Sequence, residues 1–388
     1  MSSLAARATD AASSAANRAY DVLFGDRSLL QQVVVAVFLA AAATLVVAGV
    51  AAPNSTAGDL LAVLTADSTL ASTLRLSVPI AFAALGGIFA EKSGVINIGL
   101  EGLLIISAFA GIYAVDLTGN VWIGLLGGVA ASTLLAGLFA VVCIEFKADQ
   151  IIAGLAVWLI ALGLAPFAST VIYGGTTSTS VTTFTTLPDM GIPVVSDALT
   201  AQIPVVNTSL VGIPFFGALF DANPTVYLMF VAVAASWYTL NRTAFGRWVR
   251  ASGENPKALD TAGVNVHRVR YAAVLLSGVL SGVGGAALAL GIGQFTGSGP
   301  TMVNGKGFIA IVAYLFGNYN PVGAFLSTML FAGLDATQLT LQARDVFQVP
   351  RPLVRTIPYV TVIVVLALFG RTRIPEAAGE HYESGEGE

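Results

Sequence analysis

The stretch RYAAVLLSGVLSGVGGAALALGIGQFTGSGPTMVNGK, Arg270 to Lys306, carries no charge between its two ends, and so long an uncharged run sets the fold class. Its first part, Tyr271 to Gly293, is apolar and rich in small residues over the roughly 20 residues that a helix needs to cross a hydrocarbon core about 30 Å thick. It shows no polar stripe of the kind a soluble surface helix keeps towards water. Similar uncharged gaps run from Arg27 to Asp59, Asp116 to Glu145, Asp149 to Asp189, Asp221 to Arg242 and Lys306 to Asp335. Across the 388 residues 56% are apolar and 10% charged, and the mean hydropathy is +0.81. Soluble domains hold about 45–50% apolar and about 25% charged residues, so an ordinary soluble enzyme is excluded. The net charge of −4 lacks the basic surplus that a polynucleotide partner demands, so no nucleic acid is expected.

The pattern predicts an all-α integral membrane protein with about ten transmembrane helices: Val33 to Val50, Leu70 to Ala90, Ile96 to Val115, Val121 to Ile144, Ile151 to Ile172, Pro224 to Leu240, Tyr271 to Gly293, Gly307 to Phe316, Pro321 to Leu341 and Arg355 to Gly370. Two of these read as broken or half helices. The third opens on GVINIGLEG, which sets glycines, Asn97 and Glu101 where a spanning helix wants apolar side chains, and the eighth is short. Residues 1–32 form a cytoplasmic leader, 33–370 the transmembrane domain, and 371–388, with their run of glutamates, a disordered acidic cytoplasmic tail.

Lys and Arg concentrate in cytoplasmic segments. With both termini inside the cell membrane, the inner segments collect Arg7, Arg18, Arg27, Lys92, Lys147, the cations of the 241–270 loop, Arg371 and Arg373. The outer segments hold Lys306, Arg344, Arg351 and Arg355, and the 173–223 loop, long enough to contain ordered structure, holds none. Arg75 falls within the second span, where snorkelling from its outer end explains it. Cys143 lies inside an apolar run and reads as a small hydrophobic residue.

The cytoplasmic loop NRTAFGRWVRASGENPKALDTAGVNVHRVR, Asn241 to Arg270, is the most informative stretch. Within it Asn255-Pro256-Lys257-Ala258-Leu259-Asp260-Thr261-Ala262-Gly263 has the marks of a very short helix: an Asn N-cap, a Pro at the first helical position and a Gly for the left-handed C-terminal position. Two readings remain open on the residues alone. One is a projecting knob between basic flanks; the other is a well-made loop that satisfies the charge rule.

Glu101 is a carboxylate within a predicted span, expensive enough to suggest a function in the translocation path, with Asn97 beside it. The alternative is that a helix break places Glu101 against orphan backbone N–H groups. Gly278/Gly282 and Gly124/Gly128 are spaced for close helix packing. No metal site is expected, since the two histidines, His267 and His381, lie far apart, and no nucleophile with its base suggests an enzyme. GPTMVNGK, Gly299 to Lys306, has the wrong spacing for a phosphate loop.

Three stretches carry a family resemblance: GRWVRASGENPKALDTAGVNVHRVRYAAVLLSGVLSGVGGAALAL (Gly246 to Leu290), EKSGVINIGLEGLLIISAFAG (Glu91 to Gly111) and GKGFIAIVAYLFGNYNPVGAFLSTMLFAG (Gly305 to Gly333). They resemble permease subunits of ABC importers, in the branched-chain amino acid, simple sugar and nucleoside permease family, and NIGLEG and GENP are closest to the nucleoside-type members. The resemblance implies a type II importer permease architecture and makes Asn255 to Gly263 a coupling helix that docks on an ATPase subunit. It implies further partners: a second related permease or a second copy of this chain, and an external solute-binding protein or lipoprotein, with membrane lipid around them. This chain would bind no cofactor; ATP and Mg would sit on the ATPase. The expected solute is a nucleoside, carried by alternating access. The alternatives are a simple sugar such as ribose, or an ion-coupled secondary transporter using Glu101 and Asp335. Lys306 departs from the arginine expected before Gly307, and the long external loop and the acidic tail are outside the pattern.

Overall fold

A computed structural model describes residues 40, 43–186, 188–190, 199–203, 208–213, 216–299, 301–343 and 373–383. The described chain is almost wholly helical. Helices α1 (Ala43–Ala51) and α2 (Thr56–Leu64) meet at 111°, α3 runs over Asp67–Lys92 and α4 over Leu100–Thr118. Next come α5 (Val121–Ala140), which ends in a π turn, and α6 (Gln150–Tyr173). The remaining helices are α7 (Pro224–Arg242), α8 (Ala244–Glu254), α9 (Pro256–Thr261), α10 (Val266–Ile292), α11 (Lys306–Phe316) and α12 (Pro321–Ala343). Between α6 and α7 two antiparallel two-residue strands pair Gln202 with Ser209 and Ile203 with Thr208.

Local sequence sets most of these boundaries. Asn120 caps α5 and Asp149 caps α6, each side chain accepting from two backbone N–H groups of the first turn. Gly119, Gly174 and Gly293 end α4, α6 and α10 in the left-handed conformation.

Helix α10 is the hub, packed on α3, α4 and α5, while α3 also carries α11 and α12 and α4 carries α6. The small residues read from the sequence make these crossings. A Cβ on Gly282 would come 2.7 Å from Val129 Cα, one on Gly278 3.0 Å from Thr133 Cα, and one on Gly128 2.7 Å from the Ser107 carbonyl. At this range serine hydroxyls reach backbone carbonyls of α10: Ser132 donates to Gly278 at 2.8 Å and Ser107 donates to Gly282. Gly282→Leu is therefore expected to cost about 3 kcal/mol or more through overpacking. Gly163→Leu, on the open face of α6 where a Cβ meets nothing within 4 Å, should leave the thermal midpoint of the purified protein unchanged. Equal midpoints for the two variants would refute the crossing.

The opposite faces are apolar and uncovered. Leu126 (66% exposed), Leu134 (76%) and Phe167 (64%) present α5 and α6 outwards, as lipid-facing helices require.

Six described helices are long and apolar enough to cross a membrane, or up to seven if the α1–α2 pair is one span, where ten were expected. Part of the difference lies outside the described residues, which exclude the 1–32 leader, the start of the Val33 to Val50 span and the whole Arg355 to Gly370 span. The first span also does more than the sequence reading allowed. Past Pro53, Ser55 caps a second helix by accepting from Gly58 N–H at 3.2 Å, and the chain folds back. The expected sixth span forms as α7, yet its aromatic and polar C-terminal end, Trp237 to Arg242, keeps it out of the six. The eighth span is short, as expected, with 11 residues in α11, about 16 Å of helix, whereas the third is not a half helix: the non-helical residues 93–99 take up only its expected start, and α4 then runs unbroken over Leu100–Thr118, long enough to cross a membrane.

The described parts of the 173–223 loop are tied to the end of α10, with Ser178 N–H donating to Phe295 O at 3.0 Å and Val181 N–H to Gly293 O at 2.8 Å. Residues 373–383, read from composition as part of a disordered tail, are instead docked on the protein. Ala377 is 4% exposed, and backbone hydrogen bonds to distant residues hold the segment where its own apolar content could not. Residues 384–388 are outside the described set.

Candidate functional site

Helix α3 stops at Lys92 and the chain crosses a non-helical gap before α4 begins at Leu100. Gly94 makes this possible, at φ +94 and in a place where a Cβ would lie 2.8 Å from Arg270 Nη2. Non-helical backbone at membrane depth is tolerated only when protein satisfies its polar groups. Here Ile96 N–H donates to Gln150 Oε1 at 2.7 Å and Gly99 N–H to Asn97 Oδ1 at 3.1 Å. Asn97 Nδ2 donates in turn to Ser277 Oγ of α10 at 3.1 Å.

Glu101, in the first turn of α4, reaches across to the start of α11. Its Oε1 accepts from Gly305 N–H at 2.8 Å and its Oε2 from Gly307 N–H at 2.6 Å. The carboxylate thus occupies the positive N-terminal end of the half helix and satisfies two of its orphan donors. Lys306 lies between them, 7% exposed, with Glu101 and Asp335 as the opposite charges acting on it. Asn97 and Glu101 are 1% and 2% exposed, so in this conformation both are buried and fully partnered.

The far end of α11 is held by a second carboxylate that sequence reasoning missed. Glu91, the last residue but one of α3, accepts from the hydroxyls of Tyr314 and Tyr319, the latter at 2.7 Å. Tyr319 takes a left-handed backbone at φ +54, and Lys92 Nζ stands 5.9 Å from its ring centroid. Glu91 and Glu101, on either side of the break, therefore clamp both ends of the half helix. A signal was present: Glu91 is an acid at the end of an apolar run, and no cation lies one helical turn away in the sequence to pair with it.

On the face that carries the basic loop, α9 forms where the sequence placed it. Asn255 accepts from Ala258 N–H at 3.0 Å, Pro256 opens the helix and Gly263 takes φ +80. Only Leu259 is buried in this helix, while Lys257, Ala258, Thr261 and Ala262 are exposed. Helix α8 leads into it, and Lys92, Arg247, Arg250 and Glu254 line a cleft of about 410 Å³ beside it. Asp260 accepts from the Tyr382 hydroxyl at 2.9 Å.

The profile of a family described as branched-chain amino acid transport system, permease component, matches residues 69–366. A nucleoside ABC transporter permease protein, NupC of Lactococcus lactis subsp. cremoris, is 36% identical over 326 residues, 81% of this chain and 96% of its own length. A guanosine ABC transporter permease protein, NupQ of Bacillus subtilis, is 34% identical over 328 residues, again 81% and 96%. A Haloferax volcanii protein, TsgC13, provisionally assigned as a glucose ABC transporter permease, is 33% identical over 316 residues, 77% of this chain and 90% of its own. No solved structure matches the chain.

Proposed function

The chain belongs to the family of branched-chain amino acid transport system permease components, and from that premise we propose that it imports a nucleoside. It is a multi-pass membrane permease of an ATP-driven importer, a transport protein and not an enzyme, and the family implies an ATPase partner and a solute-binding protein. One observation carries the nucleoside assignment: two relatives named for nucleoside or guanosine transport align with this chain over 96% of their own length. A sugar is the second reading, favoured by the glucose assignment of the Haloferax volcanii relative.

In this reading both termini are cytoplasmic and residues 255–263 are the coupling helix. Its support is geometric: a helix capped at its N-terminus by Asn255, held by the buried Leu259 and the Asp260–Tyr382 bond and exposed at Lys257, Ala258 and Thr261 is built to enter a complementary groove. ATP and Mg act on the partner, whose closure draws this helix inward. The second permease is a related chain or a second copy of this one, and an external binding protein or lipoprotein delivers the solute. Asn97 and Glu101 belong to the translocation path. Since both are buried and bonded in the described conformation, the path opens beside them only when α11 separates from α4.

The test is uptake of labelled guanosine, adenosine, uridine, ribose and glucose by cells lacking the gene and by cells with it restored, with and without ATP depletion at a constant ion gradient. Nucleoside uptake that needs both the gene and ATP is expected. Uptake of glucose or ribose alone would transfer the assignment to sugars, and uptake driven by the ion gradient without ATP would defeat the mechanism.

A further inference from the structure

We propose that residues 373–383 form a strap that positions α9 and ties it to the helix break, making Tyr382 a positioning residue for energy coupling. The strap lies beyond residues 69–366, which match the family, so nothing in that match assigns it a role. Its path is laid out by hydrogen bonds to successive elements. Arg373 N–H donates to Asn318 Oδ1 at 3.1 Å, in the loop that follows α11. Ala377 N–H donates to Gly253 O of α8 at 2.8 Å, and Gly379 N–H donates to Gly94 O, inside the break, at 3.0 Å. The base of α10 then grips the strap: Arg270 Nη1 donates to Glu380 O at 2.7 Å and His267 Nε2 to Tyr382 O at 2.9 Å. Lys147 pairs with Glu383. The last contact reaches α9 itself, Tyr382 donating to Asp260 at 2.9 Å.

Two features show that this path is built into the fold. Arg270 is 3% exposed, and its guanidinium reaches the strap carbonyl through Nη1, while Nε and Nη2 have no hydrogen-bond partner among the described residues. Gly379, at φ +83, brings the strap so near the break that a Cβ there would stand 3.1 Å from Ile96 Cδ1. A six-residue helix cannot hold its own orientation, since isolated helices below about 12–15 residues are marginal. Leu259 fixes one point of α9, and the Tyr382–Asp260 bond fixes a second. Through the strap, displacement of α9 is passed to Gly94, in the break that joins the Glu91 and Glu101 clamps, and to the loop after α11.

The inference rests on α9 being the coupling helix, and the experiment separates the two ideas. Hydrogen exchange of amides 257–262 is first measured on the full-length permease in nanodiscs without its ATPase, for the wild type, Tyr382→Phe and a chain ending at Arg373. Exchange is expected to rise about fivefold in Tyr382→Phe, the factor one net hydrogen bond is worth, and further in the shortened chain. Unchanged exchange in both overturns the strap. The assembled importer then gives solute transported per ATP hydrolysed, expected to fall about fivefold in Tyr382→Phe by the same reasoning. Faster exchange with an unchanged ratio overturns the positioning role. The coupling reading itself stands or falls on Lys257→Glu, which removes none of the strap's hydrogen bonds.

Discussion

Glu101→Gln is expected to insert and fold yet lose ATP-driven uptake by about tenfold or more. The carboxylate gives one oxygen to Gly305 N–H and the other to Gly307 N–H at the buried start of α11. An amide offers a single oxygen, so one of these N–H groups would face an NH₂ donor. Losing a charge-assisted hydrogen bond costs about 1.5–3 kcal/mol, and an unsatisfied buried donor about 1–3 kcal/mol more. Lys306 would also keep only Asp335 as its opposing charge in a site where it is 7% exposed. A few kcal/mol is small beside the packing of α3, α4 and α10, but it is enough to shift a two-state equilibrium about a hundredfold. Glu101→Asp keeps the charge while shortening the reach, and it should fall between the two. Solute uptake and the thermal midpoint, measured together, decide the matter. A wild-type rate in Glu101→Gln at normal protein levels would remove the carboxylate from the transport cycle.

The second large effect is expected from Lys257→Glu. Lys257 is exposed on α9 and its side chain is used neither in the burial of Leu259 nor in the Tyr382–Asp260 bond, although it stands one turn from Asp260, so the substitution should alter the fold by no more than about 0.5 kcal/mol. At a docked interface a reversed charge costs several kcal/mol, or tenfold in affinity for every 1.4 kcal/mol. ATP-driven uptake should fall by about tenfold while the thermal midpoint of the isolated permease stays put. Asp260 is a poorer choice for this experiment because reversing it would also cut the strap. Unimpaired uptake by Lys257→Glu would end the case for α9 as the docking element.

What could be read from the sequence was local. The caps of α9, the break after Gly94, the half helix behind Lys306 and the small-residue crossings of α10 each depend on neighbours a few residues apart, and each is present in the structure. The clamps and the strap were not legible for the same physical reason. Glu91 finds Tyr314 and Tyr319 from 223 and 228 residues away, and Glu101 finds Gly305 from 204. No periodicity in either segment encodes such a meeting. For 373–383 the low apolar content argued for a solvated chain, but its order comes from backbone bonds whose partners lie far off in sequence. Glu101 shows the limit best: the residue type allowed a path carboxylate or a helix cap, and only the placement of α11 shows that it caps a helix other than its own.

A helix fixed at both ends behaves as a beam built in at its supports. It passes displacement along without bending, and neither end can fray. With Glu101 at one end of α11 and Glu91 at the other, α11 moves only together with the facing ends of α3 and α4, which the non-helical residues 93–99 join. Any rearrangement of that short segment therefore shifts the two ends of α11 relative to each other.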